Sequence, residues 1–242
     1  MDEIKRLKEA IKESQKIVVF SGAGLSTNSG IPDFRSANGI YNQKTGYNAS
    51  PEEIISHTYF LNYPEEFYKF YFEKMIYPKA LPNVAHYYFH ELEKTHDVTV
   101  VTQNIDDLHQ KAGSTKVIEL HGSVMRNYCT KCHKFYSLKD IYNLDFKVPY
   151  CSCGGIIKPD VVLYEEQLND KAINDALKAI EEADMLIVVG TSLTVYPAAG
   201  FVRYYNGNKL VLLNKDKTQY DNYANIVIHD DIKNVIEALK KD

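Results

Sequence analysis

The chain has 242 residues, of which 45% are hydrophobic and 25% are charged, and its formal net charge is −4. This composition is typical of a soluble globular protein, and the length suits one large domain or a large domain that carries a small one. The acidic balance argues against a dedicated nucleic-acid-binding protein, which normally has a basic surplus. No apolar run is long enough to span a bilayer and nothing in the sequence directs export, so we expect a cytoplasmic protein.

The first predicted element is an amphipathic helix rather than a signal peptide. Ile4, Leu7 and Ile11 recur at helical spacing within a charged stretch. A β-rich apolar run at residues 17–20 follows, and we expect it to be the first buried strand.

A glycine loop, FSGAGLSTNSGIPDFR at residues 20–35, leaves that strand. It fits neither common phosphate motif, because Thr27 stands where the dinucleotide fingerprint needs its third glycine and no Gly-Lys-Ser/Thr follows as in a P-loop. Gly22 and Gly24 would let the backbone approach a pyrophosphate closely. A tight turn without a ligand gives the same pattern, so the loop alone leaves both interpretations open.

Residues 36–79 interrupt the strands. This segment is rich in Tyr and Phe and contains two helix starts, a capping box at Ser50 and the triplet Pro64-Glu65-Glu66. It has no β-rich run, so we predict a helical insertion.

From residue 80 onward, β-rich apolar runs alternate with helical patterns. This order predicts a doubly wound α/β fold, in which a parallel sheet is covered on both faces. The predicted strands lie at residues 98–101, 117–120, 161–163, 185–189, 210–213 and 226–228. The predicted helices lie at residues 85–94, 170–182 and 231–240.

Polar residues stand where the strands end. The runs lead into Ser21-Gly22-Ala23-Gly24, Gln103-Asn104-Ile105-Asp106, His121-Gly122-Ser123, Gly190-Thr191-Ser192, Asn214 and Asp230-Asp231. Ligands of open parallel sheets bind outside the carboxyl ends of the strands, so we expect these loops to converge on one site. Each residue alone also has an ordinary explanation. His121 can be a hydrogen-bonded structural histidine, Asn104 and Asp106 can cap loops, and Arg35 can form a surface ion pair instead of binding a phosphate.

All four cysteines lie between positions 129 and 153, which leaves none for a distributed disulfide framework. Cys129-x-x-Cys132, eighteen further residues and Cys151-x-Cys153 come close to the spacing of a zinc site. Four thiolates complete a tetrahedral shell and leave no position for water, so we expect a structural zinc ion. The second pair is one residue short of the usual spacing.

Seven segments together resemble the sirtuins, the NAD-dependent protein-lysine deacylases, in their bacterial form. They are GAGLSTNSGIPDFR, TQNIDDLHQKAG, ELHGS, the cysteine quartet, KPDVVLYEE, VVGTSLTVYP and LLNKDKT, in the family's order from about residue 15 to 231. The resemblance implies a Rossmann-like NAD-binding domain beside a smaller helical and zinc-binding domain. We expect the large domain at residues 1–35, 80–122 and 160–242, and the small domain at residues 36–79 and 123–159.

The resemblance also implies a role for each strand-end residue. The implied NAD-binding residues are Gly22, Ala23, Gly24, Thr27, Phe34, Arg35, Gln103, Ile105, Asp106, Thr191, Ser192, Asn214 and Asp231. Asn104 matches a catalytic residue of the pocket that receives the carboxamide and orients a water. His121 matches the general base, which accepts a proton from the ribose hydroxyls. Val162 matches the strand residue that pairs with the acyl-lysine when a peptide adds as a strand.

The implied reaction consumes NAD. Nicotinamide leaves, the acyl oxygen of an acyl-lysine captures the ribose centre, and the products are free lysine, nicotinamide and O-acetyl-ADP-ribose. Succinyl-preferring members carry a Tyr-x-x-Arg pair in the small domain, and residues 36–79 contain no arginine, so we expect uncharged acyl groups such as acetyl. The expected partners are acetylated proteins or peptides, and the expected state is a monomer.

The sequence departs from the family at Tyr164-Glu165-Glu166, where Phe-Gly-Glu is usual. Glu165 puts a charged side chain near the peptide groove. We therefore hypothesise a preference for substrates with basic residues beside the acyl-lysine.

Two other functions share these features. Mono-ADP-ribosyl transfer would use the same NAD-binding residues, so the sequence leaves it open. A zinc-bearing interaction module would hold NAD only as a structural or sensing ligand, and the presence of His121 beside residues 103–106 disfavours that function.

Overall fold

The computed structural model describes residues 2–36, 39–42, 49–142 and 145–241. Its helices are α1 (Glu3–Lys12), α2 (Pro51–Ile54), α3 (His57–Asn62), α4 (Pro64–Lys74), α5 (Val84–Leu92), α6 (Leu108–Ala112), α7 (Leu138–Ile141), α8 (Asp170–Glu182) and α9 (Ile232–Leu239). Its strands are β1 (Lys16–Ser21), β2 (Asp97–Thr102), β3 (Val117–Glu119), β4 (Gly122–Cys129), β5 (Phe135–Ser137), β6 (Ile157–Val161), β7 (Met185–Val189), β8 (Leu210–Leu213) and β9 (Ile226–Ile228). Short 3₁₀ helices cover Ala23–Ser29, Ile40–Asn42, Ala198–Tyr204 and Asp221–Tyr223.

The larger sheet has six strands in the order β3-β2-β1-β7-β8-β9. Every neighbouring pair in it is parallel. The chain builds outward from β1 on one side and from β7 on the other, so the strand order reverses between them, which is where ligands of such sheets bind. The predicted doubly wound α/β fold is confirmed.

Both faces of this sheet are buried. Alternate residues of a strand point to opposite faces, and in β1 this sends Ile17 and Val19 into the core under α1, α5 and α9. Val18 and Phe20 enter the other core, under α8 and the 198–204 helix. Burial on two faces is why these strands are continuous apolar runs without polar alternation.

A second, antiparallel sheet has the order β5-β4-β6. The prediction that residues 161–163 form a strand of the parallel sheet is therefore wrong. That run only ends β6, which pairs with β4 in the second sheet. An apolar run indicates a buried strand but not which sheet buries it. Here Val161 and Leu163 pack into the core of the second sheet.

The insertion between β1 and α5 is helical, as predicted, over the part of residues 36–79 that the structure describes. Ser50 and Glu53 form the predicted capping box ahead of α2, and Pro64 begins α4. Aromatic side chains of α3 and α4 pack into the core of the second sheet, and this shared core contains Phe60, Phe67, Tyr68, Tyr71, Phe72, Val124, Leu138, Ile157 and Val161.

Helices α1 and α9 flank the parallel sheet. The predicted amphipathic helix α1 buries Leu7 and Ile11. Asp231 caps α9, because its carboxylate accepts a hydrogen bond from the Lys233 amide at 3.0 Å. Within the described ranges, no helix has both the length and the apolar character needed to cross a membrane.

Candidate active site

A cavity of about 840 Å³ lies at the carboxyl ends of the parallel strands, and the segment after β6 forms part of its wall. Its volume is within the range of small-molecule and cofactor sites. The predicted site residues that line it are Ala23, Gly24, Thr27, Phe34, Arg35, Gln103, Asn104, Ile105, Asp106, His121, Val162, Thr191, Ser192, Asn214 and Asp231. The loops after separate strands thus meet in one cavity.

Gly22 is the predicted residue that lies behind the cavity wall. Its amide donates to the Val189 carbonyl at 3.1 Å, so it extends the pairing of β1 with β7. The Gly24 amide in turn donates to the Gly190 carbonyl at 2.8 Å. A Cβ atom on Gly24 would lie 2.9 Å from that carbonyl oxygen. The glycines therefore let the two strand-end loops pack backbone against backbone.

Asn104 is a buried polar residue of the cavity, at 8% exposure. Its side-chain nitrogen donates to the Gly22 carbonyl at 3.1 Å and to Ser26 Oγ at 3.2 Å. These bonds assign the amide nitrogen to the glycine-loop side and leave Asn104 Oδ1 as an acceptor for a ligand.

Ser26 links Asn104 to Asp106, since its hydroxyl donates to Asp106 Oδ2 at 2.6 Å. Burial raises the pKa of Asp106, and the hydrogen bonds from Ser26 and from the Leu108 amide oppose that shift. Ser26 is a site residue that the sequence motifs did not indicate. Its only signal was its place in the glycine loop, because the partners that reveal its role come from another strand.

His121 lies in the turn between β3 and β4 and lines the cavity. Its Nδ1 is 2.9 Å from the Gln103 carbonyl oxygen. A carbonyl only accepts, so Nδ1 carries the proton and Nε2 keeps its lone pair. Burial lowers the pKa of His121, opposed in part by this hydrogen bond. The ring is therefore neutral at physiological pH and can accept a proton at Nε2.

The backbone places His121 next to Val162, whose amide donates to the His121 carbonyl at 3.0 Å. Gly122 makes this approach possible. It has a φ of +74°, and a Cβ atom there would lie 1.9 Å from the Asp160 carbonyl oxygen. The candidate base and the candidate substrate residue are thus held side by side.

The far end of the cavity is formed by the loops after β7, β8 and β9. Gln103 Nε2 lies 3.4 Å from Thr191 Oγ1, which connects this end to the His121 side. Asp231 accepts a hydrogen bond from Asn28 at 2.8 Å as well as capping α9. Asn28 is a second residue that sequence reasoning missed, and it ties the glycine-loop helix to the start of α9.

Arg35 meets a phenol rather than forming the surface ion pair considered above. Within the described ranges, its side chain donates one hydrogen bond, from Nη2 to the Tyr164 hydroxyl at 3.2 Å. The Tyr41 hydroxyl lies 2.9 Å from the same oxygen. The Arg35 guanidinium also lies over the Tyr41 ring, 5.2 Å from its centroid.

Glu165 occupies the left-handed backbone region, with a φ of 74°. This conformation favours glycine, the usual family residue at this position. Its carboxylate accepts a hydrogen bond from the Thr58 amide at 2.9 Å, at the start of α3. The side chain is exposed, and Glu165 and Val162 both line the cavity.

The four cysteine sulfurs lie within 4.8 Å of one another. Cys129 and Cys132 are each 3.4 Å from Cys153, and Cys132 is 3.6 Å from Cys151. Four thiolates around one zinc ion at about 2.3 Å would stand about 3.8 Å apart, so the cluster fits tetrahedral zinc. The shortened second pair therefore still brings both sulfurs to the site.

The fold and the site define a Rossmann-like nucleotide-binding protein that carries a four-cysteine zinc module. The model of the Sir2 family matches residues 22–197, and the chain belongs to that family. Proteins named NAD-dependent protein deacetylase are similar to it over nearly their whole length. One from Clostridium perfringens is 56% identical over 97% of each chain. One from Clostridium acetobutylicum is 54% identical over 99% of this chain and 98% of its own.

Solved Sir2 structures share the fold. One with a deacetylated p53 peptide and 3'-O-acetyl ADP ribose has a TM-score of 0.89 and 39% identity, covering 98% of this chain and 96% of its own. Another with a p53 peptide and NAD+ has a TM-score of 0.84 and 39% identity, covering 97% of this chain and 95% of its own.

Proposed function

We propose that the chain is an NAD-dependent protein-lysine deacetylase, which moves the acetyl group of an acetyl-lysine to ADP-ribose and releases nicotinamide. The observation that carries this proposal is the position of His121. Its ring bonds to the Gln103 carbonyl and its own carbonyl bonds to Val162. A neutral base thus stands where the proposed cofactor pocket meets the proposed substrate wall. The names of the relatives and the ligands of the solved Sir2 structures support it.

Bound NAD would supply the ribose carbon that receives the acyl oxygen. On the protein side, Asn104 Oδ1 is free to orient a polar ligand group because Gly22 and Ser26 occupy its nitrogen. His121 Nε2 holds the proton taken from a ribose hydroxyl. Val162 offers its backbone to an added peptide strand.

The proposed NAD contacts are those that the resemblance implies. Gly22 would act from behind the wall, by holding Asn104. The remaining proposed residues face the cavity, with Thr191, Ser192, Asn214 and Asp231 at its far end. The four cysteines would hold a structural zinc ion, because their shell leaves no open position.

Uncharged acyl groups are the proposed substrates. The cation that α4 brings to the cavity is Lys74, and it is paired with Glu73 at 3.0 Å. Because Glu73 neutralises the charge of Lys74, we expect only weak attraction between Lys74 and the distal carboxylate of a succinyl group. Faster turnover of a succinylated than of an acetylated peptide would contradict this.

The proposed domain division stays as the sequence suggested, with residues 36–79 and 123–159 forming the small domain. The core shared by α4 and the second sheet supports it. We also propose a monomer without a dedicated nucleic-acid site, consistent with the net charge of −4. Four reduced thiols in one zinc cluster suit the reducing cytoplasm.

The test is mass spectrometry of an acetyl-lysine peptide incubated with and without NAD. The proposal predicts deacetylated peptide together with O-acetyl-ADP-ribose, and both only when NAD is present. If NAD is cleaved while the acetyl group stays on the peptide, and label from NAD enters protein, mono-ADP-ribosyl transfer is the activity instead. If NAD is bound but never cleaved, the chain is an interaction module.

A further inference from the structure

The hydroxyl of Tyr164 joins two walls of the cavity. Tyr164 follows β6, on the wall that carries Val162, whereas Arg35 and Tyr41 belong to the segment that continues the glycine loop. Both of these residues meet the one hydroxyl, Arg35 at 3.2 Å and Tyr41 at 2.9 Å. Phenylalanine, the usual family residue at this position, would lack this oxygen.

Tyr164 is a firmly held anchor. Its amide donates to the Ile55 carbonyl at 3.1 Å, and its carbonyl accepts from the His57 amide at 3.0 Å. Two residues later, Glu166 accepts hydrogen bonds from the Leu163 amide and from Lys158 at 2.9 and 3.0 Å. The backbone on both sides of the phenol is therefore fixed to the helical insertion and to β6.

The loop side is held by both ring packing and a backbone hydrogen bond. Phe34 packs against Tyr41 with ring centroids 5.4 Å apart, and the Tyr41 amide donates to the Phe34 carbonyl at 2.9 Å. Burial, followed by the hydrogen bond with Tyr164, raises the pKa of Tyr41. Tyr41 therefore stays a neutral phenol that can bond to Tyr164.

Arg35 remains available to a ligand in this arrangement. A guanidinium has five N–H donors. Over the described part of the chain, the Arg35 side chain donates one hydrogen bond, from Nη2 to the Tyr164 hydroxyl. Arg35 lines the cavity, so its other donors can meet an anionic group there.

We propose that Tyr164 is a positioning residue, which holds Arg35 and residues 34–36 against the cavity before NAD binds. Without the hydroxyl, the Arg35 side chain has to be ordered when the cofactor arrives, which lowers affinity. This inference rests on the proposed function, because it takes NAD as the ligand. It adds Tyr164 to the residues proposed for the cofactor site.

Tyr164→Phe restores the usual family residue and removes only the hydroxyl. We expect the Kd for NAD, measured by calorimetry without turnover, to rise about 5-fold, which corresponds to the ~1 kcal/mol that a typical hydrogen bond contributes. The KM for NAD should rise in parallel, while kcat and the KM for the peptide stay within about 2-fold. Amide hydrogen exchange of residues 31–36 should become faster. A purely structural role would not produce this selective change in NAD affinity.

Two further variants sharpen the test. Tyr41→Phe leaves the Arg35 bond intact, so the Kd for NAD should rise less than in Tyr164→Phe. Arg35→Lys should by itself raise the Kd for NAD. Tyr164→Phe should raise that Kd by a smaller factor in the Arg35→Lys background than in the wild-type protein, because the two residues share one hydrogen bond.

The possible failures are distinguishable. If the wild-type protein binds NAD and Tyr164→Phe binds it equally well with unchanged exchange at residues 31–36, the role of Tyr164 is refuted and the proposed function stands. If the wild-type protein binds no NAD, the proposed function is wrong and the role of Tyr164 is refuted with it.

Discussion

Replacing Gly24 by alanine perturbs the contact on which the cofactor end of the cavity is built. The added Cβ would lie 2.9 Å from the Gly190 carbonyl oxygen and 3.0 Å from Gly190 Cα. Both neighbours are backbone, and Gly190 is itself constrained, since it has a φ of +61° and approaches Leu25 closely. Neither loop can yield by a simple side-chain rotation, so the loops after β1 and β7 must move apart.

The expected cost follows from this overlap. Overpacking by one methyl group typically destabilises by about 1–3 kcal/mol. For a chain of this size that lowers the melting temperature by about 2–12 °C. NAD affinity should fall as well. One displaced loop carries Gly22, whose carbonyl accepts the hydrogen bond from Asn104, and the other carries Thr191, which lines the cavity.

Gly200→Ala is the matched control. A Cβ atom there meets only the Tyr196 ring, at 3.7 and 3.8 Å, which is ordinary contact. Gly200 also lies within the 198–204 helix, where alanine is tolerated. The measurements are the melting temperature of each variant and its Kd for NAD by calorimetry. If Gly24→Ala melts and binds NAD like Gly200→Ala, the glycine loop does not need the backbone approach described here.

Three further predictions concern the base, the metal and the peptide. Burial lowers the pKa of His121, so the decline of kcat with falling pH should be centred below about 6.5, the ordinary histidine pKa; a decline centred above pH 7 would contradict a neutral buried base. The Tyr136 hydroxyl lies 3.2 Å from the Cys151 sulfur, so Tyr136→Phe should release zinc to a chelator about 10-fold faster, and an unchanged release rate would show that this bond does not hold the ligand. Glu165 should make lysine-flanked peptides about 2- to 5-fold better substrates than glutamate-flanked ones, a preference that Glu165→Gly should remove; equal rates on the two peptides in the wild-type protein would refute the hypothesis.

The strands of the parallel sheet were largely predictable, since a strand buried on both faces has to be a continuous apolar run. For β7, β8 and β9 the predicted bounds equal the observed ones. Residues 161–163 show the limit of this reasoning. An apolar run reports burial but not which sheet buries it, and the pairing of β6 with β4 is a tertiary contact.

The strand-end rule brought most candidate residues to one cavity, because parallel strands present their carboxyl ends on one edge. It could not reveal contacts between residues far apart in the chain. Ser26 gains its role from Asp106, 80 residues away, and Tyr164 from Arg35, 129 residues away. The sequence left open whether the glycine loop approaches a pyrophosphate or forms a tight turn. Cβ atoms added at Gly22 and Gly24 would point at the loop after β7, a relation that depends on the fold.

The central claim is that His121 is the base of an NAD-dependent deacetylation. Its most direct test compares wild type, His121→Ala and His96→Ala on an acetyl-lysine peptide with NAD, with zinc content and NAD binding measured in each. His96 bonds instead to the Ile11 carbonyl and does not line the cavity. The account predicts that His121→Ala keeps zinc and NAD but forms no O-acetyl-ADP-ribose, while His96→Ala forms it at the wild-type rate. Undiminished product formation by His121→Ala would contradict the account.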